Sequence, residues 1–160
     1  MITNAYIRVD GSLTIGSGHL VRCLSIAQYL KTKNINVLFI TRSKNIVKYI
    51  LENGIEVKVL ENDCSLTDEL SIIQNLLSTS NPNLMVLDVN NYHTFKTIDD
   101  YSYYLKSLGK MHVFTVSFED PKNHPPLSDL AILPYAGSDN LKYPDGKCLN
   151  LTGPKYFVLP

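Results

Sequence analysis

Arg8-Val9-Asp10-Gly11-Ser12-Leu13-Thr14-Ile15-Gly16-Ser17-Gly18-His19-Leu20-Val21-Arg22-Cys23-Leu24 joins a strand to a helix through a glycine loop, and this junction decides how the rest of the chain reads. Residues 5–9 read as a buried strand. Gly11, Gly16 and Gly18 mark backbone that turns tightly or lets a ligand come close. From Leu20 the apolar positions recur at Cys23, Leu24, Ala27 and Leu30, which is helical spacing. A loop running into a helix offers unpaired N–H groups and a partial positive charge, a setting that suits an anion such as a phosphate. His19 stands at that point, and an imidazole exchanges a proton near neutral pH.

Three readings compete for the loop. A dinucleotide fingerprint needs Gly-x-Gly-x-x-Gly; Gly16 and Gly18 fit, but Val21 stands where the third glycine belongs. The second strand ends in Thr41 and Arg42, with no acidic residue to hold a ribose; an NADP reading would rest on Arg42 and two glycines. A P-loop matches the spacing of Gly11 and Gly16, but Ser17 and Gly18 replace the lysine and hydroxyl residue it requires. The third reading is a glycine loop that presents a histidine to a sugar-nucleotide, and no required residue is missing.

Outward from this junction, strands and helices alternate. Strands are expected at 36–41, 56–60, 84–89, 112–118 and 130–133, and helices at 44–53, 65–78 and 94–108. Gly54 and Gly109 are expected as helix stops, and Pro82 as a break. Such alternation implies an α/β fold: a parallel, Rossmann-like doubly wound sheet with right-handed crossovers, covered on both faces. Ligands bind such sheets beyond the C-terminal strand ends. The glycine loop, residues 88–92 and residues 118–120 all fall on that edge. Residues 135–154, rich in Gly, Pro, Asn and Asp with a turn signal at Asp145-Gly146, read as a long loop.

The whole chain bounds the function classes. Its 160 residues suffice for one domain with a real core, and 44% apolar and 19% charged residues are ordinary for a globular protein. Lysine plus arginine number 15, as do aspartate plus glutamate, so nothing supports nucleic-acid binding. No stretch has membrane-spanning length, and the N-terminus lacks a signal-peptide pattern. Cys23, Cys64 and Cys148 are odd in number and far apart, which suits a reducing cytoplasm and shows neither a disulfide framework nor a metal spacing.

Around His19, Asp10 has two readings: it accepts N–H bonds within its turn, or it orients the imidazole. Arg22 lies one helical turn after His19 and either reaches a ligand or forms a salt bridge. Gly16, Ser17 and Gly18 shape the loop and allow backbone contact. Asp88 ends the fourth strand and is followed by Asn90 and Tyr92, which contact a sugar or serve the core. Glu119 and Asp120 bind hydroxyls or make turn bonds. Tyr101, Tyr103 and Tyr104 cover a helix face. His93, His112 and His124 are scattered and receive no role.

Residues 8–24 resemble the signature of the bacterial UDP-sugar hydrolase family of pseudaminic acid biosynthesis and its relatives, the spore-coat polysaccharide proteins. Gly-Ser-Gly-His alone is also similar to the glucosaminyltransferase of peptidoglycan synthesis. The likeness continues, in order, at residues 86–88, 117–120 and 153–159. The resemblance implies one half of a two-domain GT-B fold: residues 1–153 as the N-terminal Rossmann-like domain and 154–160 as the start of a connection to a C-terminal nucleotide-binding domain not contained in the chain. It implies His19 as general base, with water attacking the anomeric carbon of a UDP-linked amino sugar, and inversion without metal or cofactor. It also implies that these residues alone bind UDP poorly. Where such hydrolases carry histidine and tyrosine after the aspartate, this chain has Val89 and Asn90, closer to the spore-coat branch. A glycosyltransferase of polysaccharide biosynthesis and a non-catalytic sugar-nucleotide-binding domain are the alternatives.

Overall fold

The computed structural model describes residues 1–11, 18–77, 82–89, 95–118, 127–138 and 148–158. Gly16, Ser17, Asn90, Tyr92, Glu119, Asp120 and the turn at Asp145-Gly146 lie outside the described residues. In chain order the elements are β1 (Asn4–Val9), α1 (Gly18–Thr32), β2 (Asn36–Thr41), α2 (Val47–Glu52, preceded by the 3-10 turn Lys44–Ile46), β3 (Glu56–Val59) and α3 (Leu66–Leu76). They continue as β4 (Asn83–Asp88), α4 (Ile98–Gly109), β5 (Val113–Phe118), β6 (Leu130–Leu133) and β7 (Leu149–Thr152), followed by a 3-10 turn at Pro154–Tyr156.

The strands described here form one sheet in the order β3-β2-β1-β4-β5-β6-β7, with every pairing parallel. This is the Rossmann-like, doubly wound α/β sheet that the alternation predicts. The chain winds outward from β1 to β3, then returns to pair β4 with the other side of β1, in the register Val9↔Asp88. The strand order therefore reverses between β1 and β4, and their C-terminal ends flank a switch point.

Strand alternation divides the core in two. Ile7 and Val9 of β1, Phe39 and Val86 face α1 and α2, and pack with Cys23, Leu24, Ala27 and Ile50. Tyr6, Ile40, Met85 and Leu87 face α3 and α4, and pack with Ile73, Tyr104, Leu105 and Leu108. Local signals end the helices. Asn34 (φ 58°) and Gly54 (φ 67°) take the left-handed position just past α1 and α2, and Ile35 N–H and Ile55 N–H reach back to the carbonyls of Leu30 and Ile50. Ser65 caps α3, and Thr97 with Asp100 forms a reciprocal capping box on α4. Gly109, expected as a stop, is instead the last residue of α4, and the left-handed backbone falls at His112 (φ 54°).

Within 135–154, residues 149–152 depart from the loop expectation, because β7 pairs with β6 from Leu130↔Leu149 to Leu133↔Thr152. Four residues with two leucines carry too weak a pattern to announce a strand; the open edge of β6 supplies the partner. Ser138 helps to fix the end of β7, since its Oγ accepts from Gly153 N–H at 2.8 Å and donates to Leu133 O at 2.6 Å. Among the described residues, no helix is long and apolar enough to cross a membrane.

Polar residues tie α3 and α4 to the sheet. Arg8, fully buried in β1, shares the face of Tyr6. Its Nε donates to Glu69 Oε1 at 2.7 Å, and its Nη1 lies 2.8 Å from Asp10 Oδ1, an ionic contact rather than a directed hydrogen bond. The Tyr104 hydroxyl donates to Glu69 Oε1 at 2.8 Å, and Arg42 Nε to Oε2 at 3.0 Å. Burial opposes the charge on Arg8, but Asp10 and Glu69 more than offset it and raise its pKa. Burial and the Glu69 anion push the Tyr104 hydroxyl well above its usual range. Glu69→Ala would leave the buried Arg8 cation with Asp10 alone and break the links to Arg42 and Tyr104; breaking a buried pair typically costs about 3–5 kcal/mol. Urea unfolding should show that loss, and a change below about 1 kcal/mol would mean the cluster is not a fold determinant.

Candidate functional site

Helix α1 begins at Gly18, where the chain leaves the glycine loop. Its positions 19, 22 and 23 are spaced i, i+3 and i+4, so their side chains share one face. That face turns toward the end of β4. Asp88, the last residue of β4, has the strand parity of Leu84 and Val86 and so points to the α1 side of the sheet. All three side chains converge on its carboxylate. His19 Nδ1 lies 2.6 Å from Oδ1. Arg22 donates from Nε to Oδ2 and from Nη2 to Oδ1, each at 2.7 Å. The Cys23 thiol donates to Oδ2 at 3.5 Å. The Arg22 guanidinium also lies over the Phe118 ring at the end of β5, 4.6 Å from its centroid.

Asp88 is fully buried, whereas the His19 side chain keeps 17% exposure. Burial works against the Asp88 anion, yet hydrogen bonds from His19 and Arg22 outweigh it and hold the carboxyl below its ordinary range. An ionised carboxylate 2.6 Å from Nδ1 accepts a hydrogen bond there, which assigns the Nδ1 proton. Nε2 is then the basic nitrogen of the neutral ring. Arg22 Nη2, 3.3 Å from Nδ1, faces another donor and adds no bond to it. Burial, then the Asp88 anion, push the Cys23 thiol well above its usual range, so it remains a weak donor and not a nucleophile at neutral pH.

The residues singled out in the sequence separate here. His19, Arg22 and Asp88 come together, and Gly18 adjoins them. Among the described residues, a Cβ at Gly18 would meet no atom within 4 Å, so their packing does not demand glycine there. Of the two readings of Arg22, the structure shows the salt bridge.

Of the two readings of Asp10, that of orienting the imidazole is not the one observed. The carboxylate that orients the imidazole is Asp88, while Asp10 Oδ1 accepts Arg42 N–H at 2.8 Å and the Thr41 hydroxyl at 3.1 Å and pairs with Arg8. The reason is parity: Asp10 follows β1 on the Arg8 side, facing α3 and α4, whereas α1 covers the Ile7 and Val9 side. Burial, the largest influence, opposes the Asp10 anion, but Arg8 and the turn donors lower its pKa. Its turn-bonding reading is the one observed. Gly11 N–H donates to Ser43 Oγ at 3.1 Å, so the start of the loop is moored to the end of β2. Arg42, the cation on which an NADP reading would rest, is paired with Glu69.

Cys23 was missed as a member of this cluster. The i+4 spacing from His19 could have placed Cys23 on the shared face; Phe118 was expected on this sheet edge with residues 118–120, but not its contact with Arg22, which depends on strand order. A cavity of about 690 Å³ opens at the opposite edge, lined by Asn4, Lys31, Asn36, Gly54 and Leu76, remote from His19.

No family model matches the chain, and no solved structure does. The chain is 30% identical over 160 residues to Uncharacterized protein MJ1062 of Methanocaldococcus jannaschii. That alignment covers 96% of this chain and 30% of the archaeal protein, so the chain spans about a third of the length of this relative.

Three buried carboxylates, Asp10, Glu69 and Asp88, have folded pKa values below their ordinary ones. Each therefore adds stability that is present above the unfolded values of about 4 and is lost as pH falls through the folded values. The urea midpoint should stay nearly level from pH 7 to about 5 and fall steeply below about 4. A midpoint that stays level down to pH 3 would contradict the pairing of these groups.

Proposed function

We propose that this chain is the N-terminal, Rossmann-like half of a two-domain GT-B enzyme of the cytoplasm that hydrolyses a UDP-activated deoxy amino sugar. The carrying observation is an imidazole fixed through Nδ1 by a buried carboxylate, 2.6 Å away, at the switch point of a doubly wound sheet. An imidazole so held offers Nε2 as a base. In the proposed reaction Nε2 takes a proton from water as its oxygen attacks the anomeric carbon. The bond from that carbon to the UDP oxygen breaks, and UDP departs with the bonding pair. UDP is a competent leaving group and needs little acid assistance.

Three further features support this reading. Gly18, the first residue of α1, where a Cβ would meet none of the described atoms within 4 Å, suits a diphosphate or sugar approaching a helix N-terminus. The ordered likeness of residues 8–24, 86–88, 117–120 and 153–159 to the hydrolase and spore-coat families points to the same chemistry. The archaeal relative is about three times as long as the chain, which accords with a second domain beyond it that grips the nucleotide and closes the cleft. Here Asp88 is a positioning residue for His19 and Arg22 its ion-pair partner; Gly16, Ser17, Asn90 and Tyr92 are the proposed substrate contacts.

The test is to incubate the full-length protein with a UDP-linked diacetamido-trideoxy-hexose and follow UDP and free sugar by NMR, with and without acceptor sugars. Release of free sugar without an acceptor supports hydrolysis; transfer only to an acceptor hydroxyl would reassign the protein as a glycosyltransferase. In the hydrolase, His19→Ala should lower kcat by roughly 10²–10⁴-fold while leaving substrate binding largely intact. A variant that turns over at the wild-type rate would dismiss His19 as the base.

A further inference from the structure

We infer that Arg22 is a positioning residue for His19: by clamping both oxygens of Asp88 it keeps the imidazole neutral, with its proton on Nδ1 and its lone pair on Nε2. The inference rests on the reading of His19 as a base and identifies what keeps that base available.

An imidazole 2.6 Å from a buried, otherwise unpaired carboxylate would be held as imidazolium, because a close opposite charge favours the charged form. A ring fixed in that state has no lone pair to accept a proton. Asp88, however, already has a permanent cation. The Arg22 fork meets it at two points, Nε on Oδ2 and Nη2 on Oδ1, a geometry that lysine cannot reproduce. Arg22 thus offsets the charge of Asp88, and a second positive charge on the ring would face Nη2 at 3.3 Å. The cluster favours the uncharged ring, while Oδ1 still directs its proton to Nδ1. Phe118 covers the guanidinium from β5 and limits its freedom to swing away. Among the described residues, the other titratable group at this carboxylate is Cys23, whose protonated thiol adds no charge. Two cations would compete for one carboxylate, and the permanent one holds both of its oxygens.

The experiment is NMR of the imidazole nitrogens in the full-length protein carrying labelled histidine, with the His19 signals assigned by their loss in His19→Gln. Wild-type His19 should be neutral near pH 7.5, with its proton on Nδ1. Arg22→Gln should raise the His19 titration midpoint by about one pH unit or more. Asp88→Asn should lower the midpoint and move the proton toward Nε2. If Arg22→Gln does not fold, Arg22→Lys keeps the charge and loses the fork; it should give a mixture of the two neutral tautomers. A wild-type ring that is charged at pH 7.5, or neutral with its proton on Nε2, would overturn the inference. So would an Arg22 variant whose His19 spectrum and midpoint match the wild type, since a merely structural salt bridge would weaken folding without moving the proton. None of these measurements requires turnover, so absence of UDP-sugar hydrolysis would defeat the functional proposal alone.

Discussion

A carboxylate at the end of a buried strand cannot be left without donors, and much of this structure follows from how that demand is met at Asp88. Its side chain is removed from water beneath the first turns of α1, where an unpaired charge is prohibitively costly. Helix α1 answers with an imidazole, a guanidinium and a thiol on one face. The same contacts that make the carboxylate tolerable also fix the depth and rotation of α1 at the switch point. Stability and chemistry therefore share one set of bonds: the half-buried imidazole is oriented because the fold needs its donor.

A second polar cluster answers the same demand on the opposite face. Arg8 enters the central strand as a buried cation, and Asp10 and Glu69 lie against it, with Tyr104 and Arg42 completing Glu69. Its two cations balance its two anions, so it has the character of a structural lock and not of an anion site. It matters to the candidate site through its position. Asp10 ties the end of β1 to the turn after β2, and Gly11 is moored to Ser43, so one end of the glycine loop is held by this cluster while α1 holds the other. Gly11 and Gly18, the described ends of the loop, thus adjoin two buried charge networks, one on each side of the sheet.

The architecture was largely legible because it depends on local patterns. Among the described residues, six of the strands, the four helices and the stop at Gly54 follow from apolar runs, helical spacing and a glycine that accepts positive φ. β7 was not legible, because four residues in a polar stretch become a strand only when β6 offers an open edge. At the site, His19, Arg22 and Asp88 were each visible as candidates, but the relation among them was not. Asp10, nine residues from His19, was read either as a turn acceptor or as the carboxylate that orients the imidazole; Asp88, 69 residues away, is the one that meets the ring.

What the sequence alone determined is the set of components: a parallel α/β domain, a glycine loop opening a helix, and a histidine at that helix's start with an arginine one turn on. These are short-range properties, set by the periodicity of 3.6 or 2 residues and by the backbone freedom of glycine. Tertiary structure alone decided which carboxylate meets the imidazole and which closes a turn. The physical reason is that a sheet sends alternate residues to opposite faces and pairs strands by crossover, not by sequence distance. Once β4 lies beside β1 with Asp88 on the α1 face, Asp10 is committed to the other side.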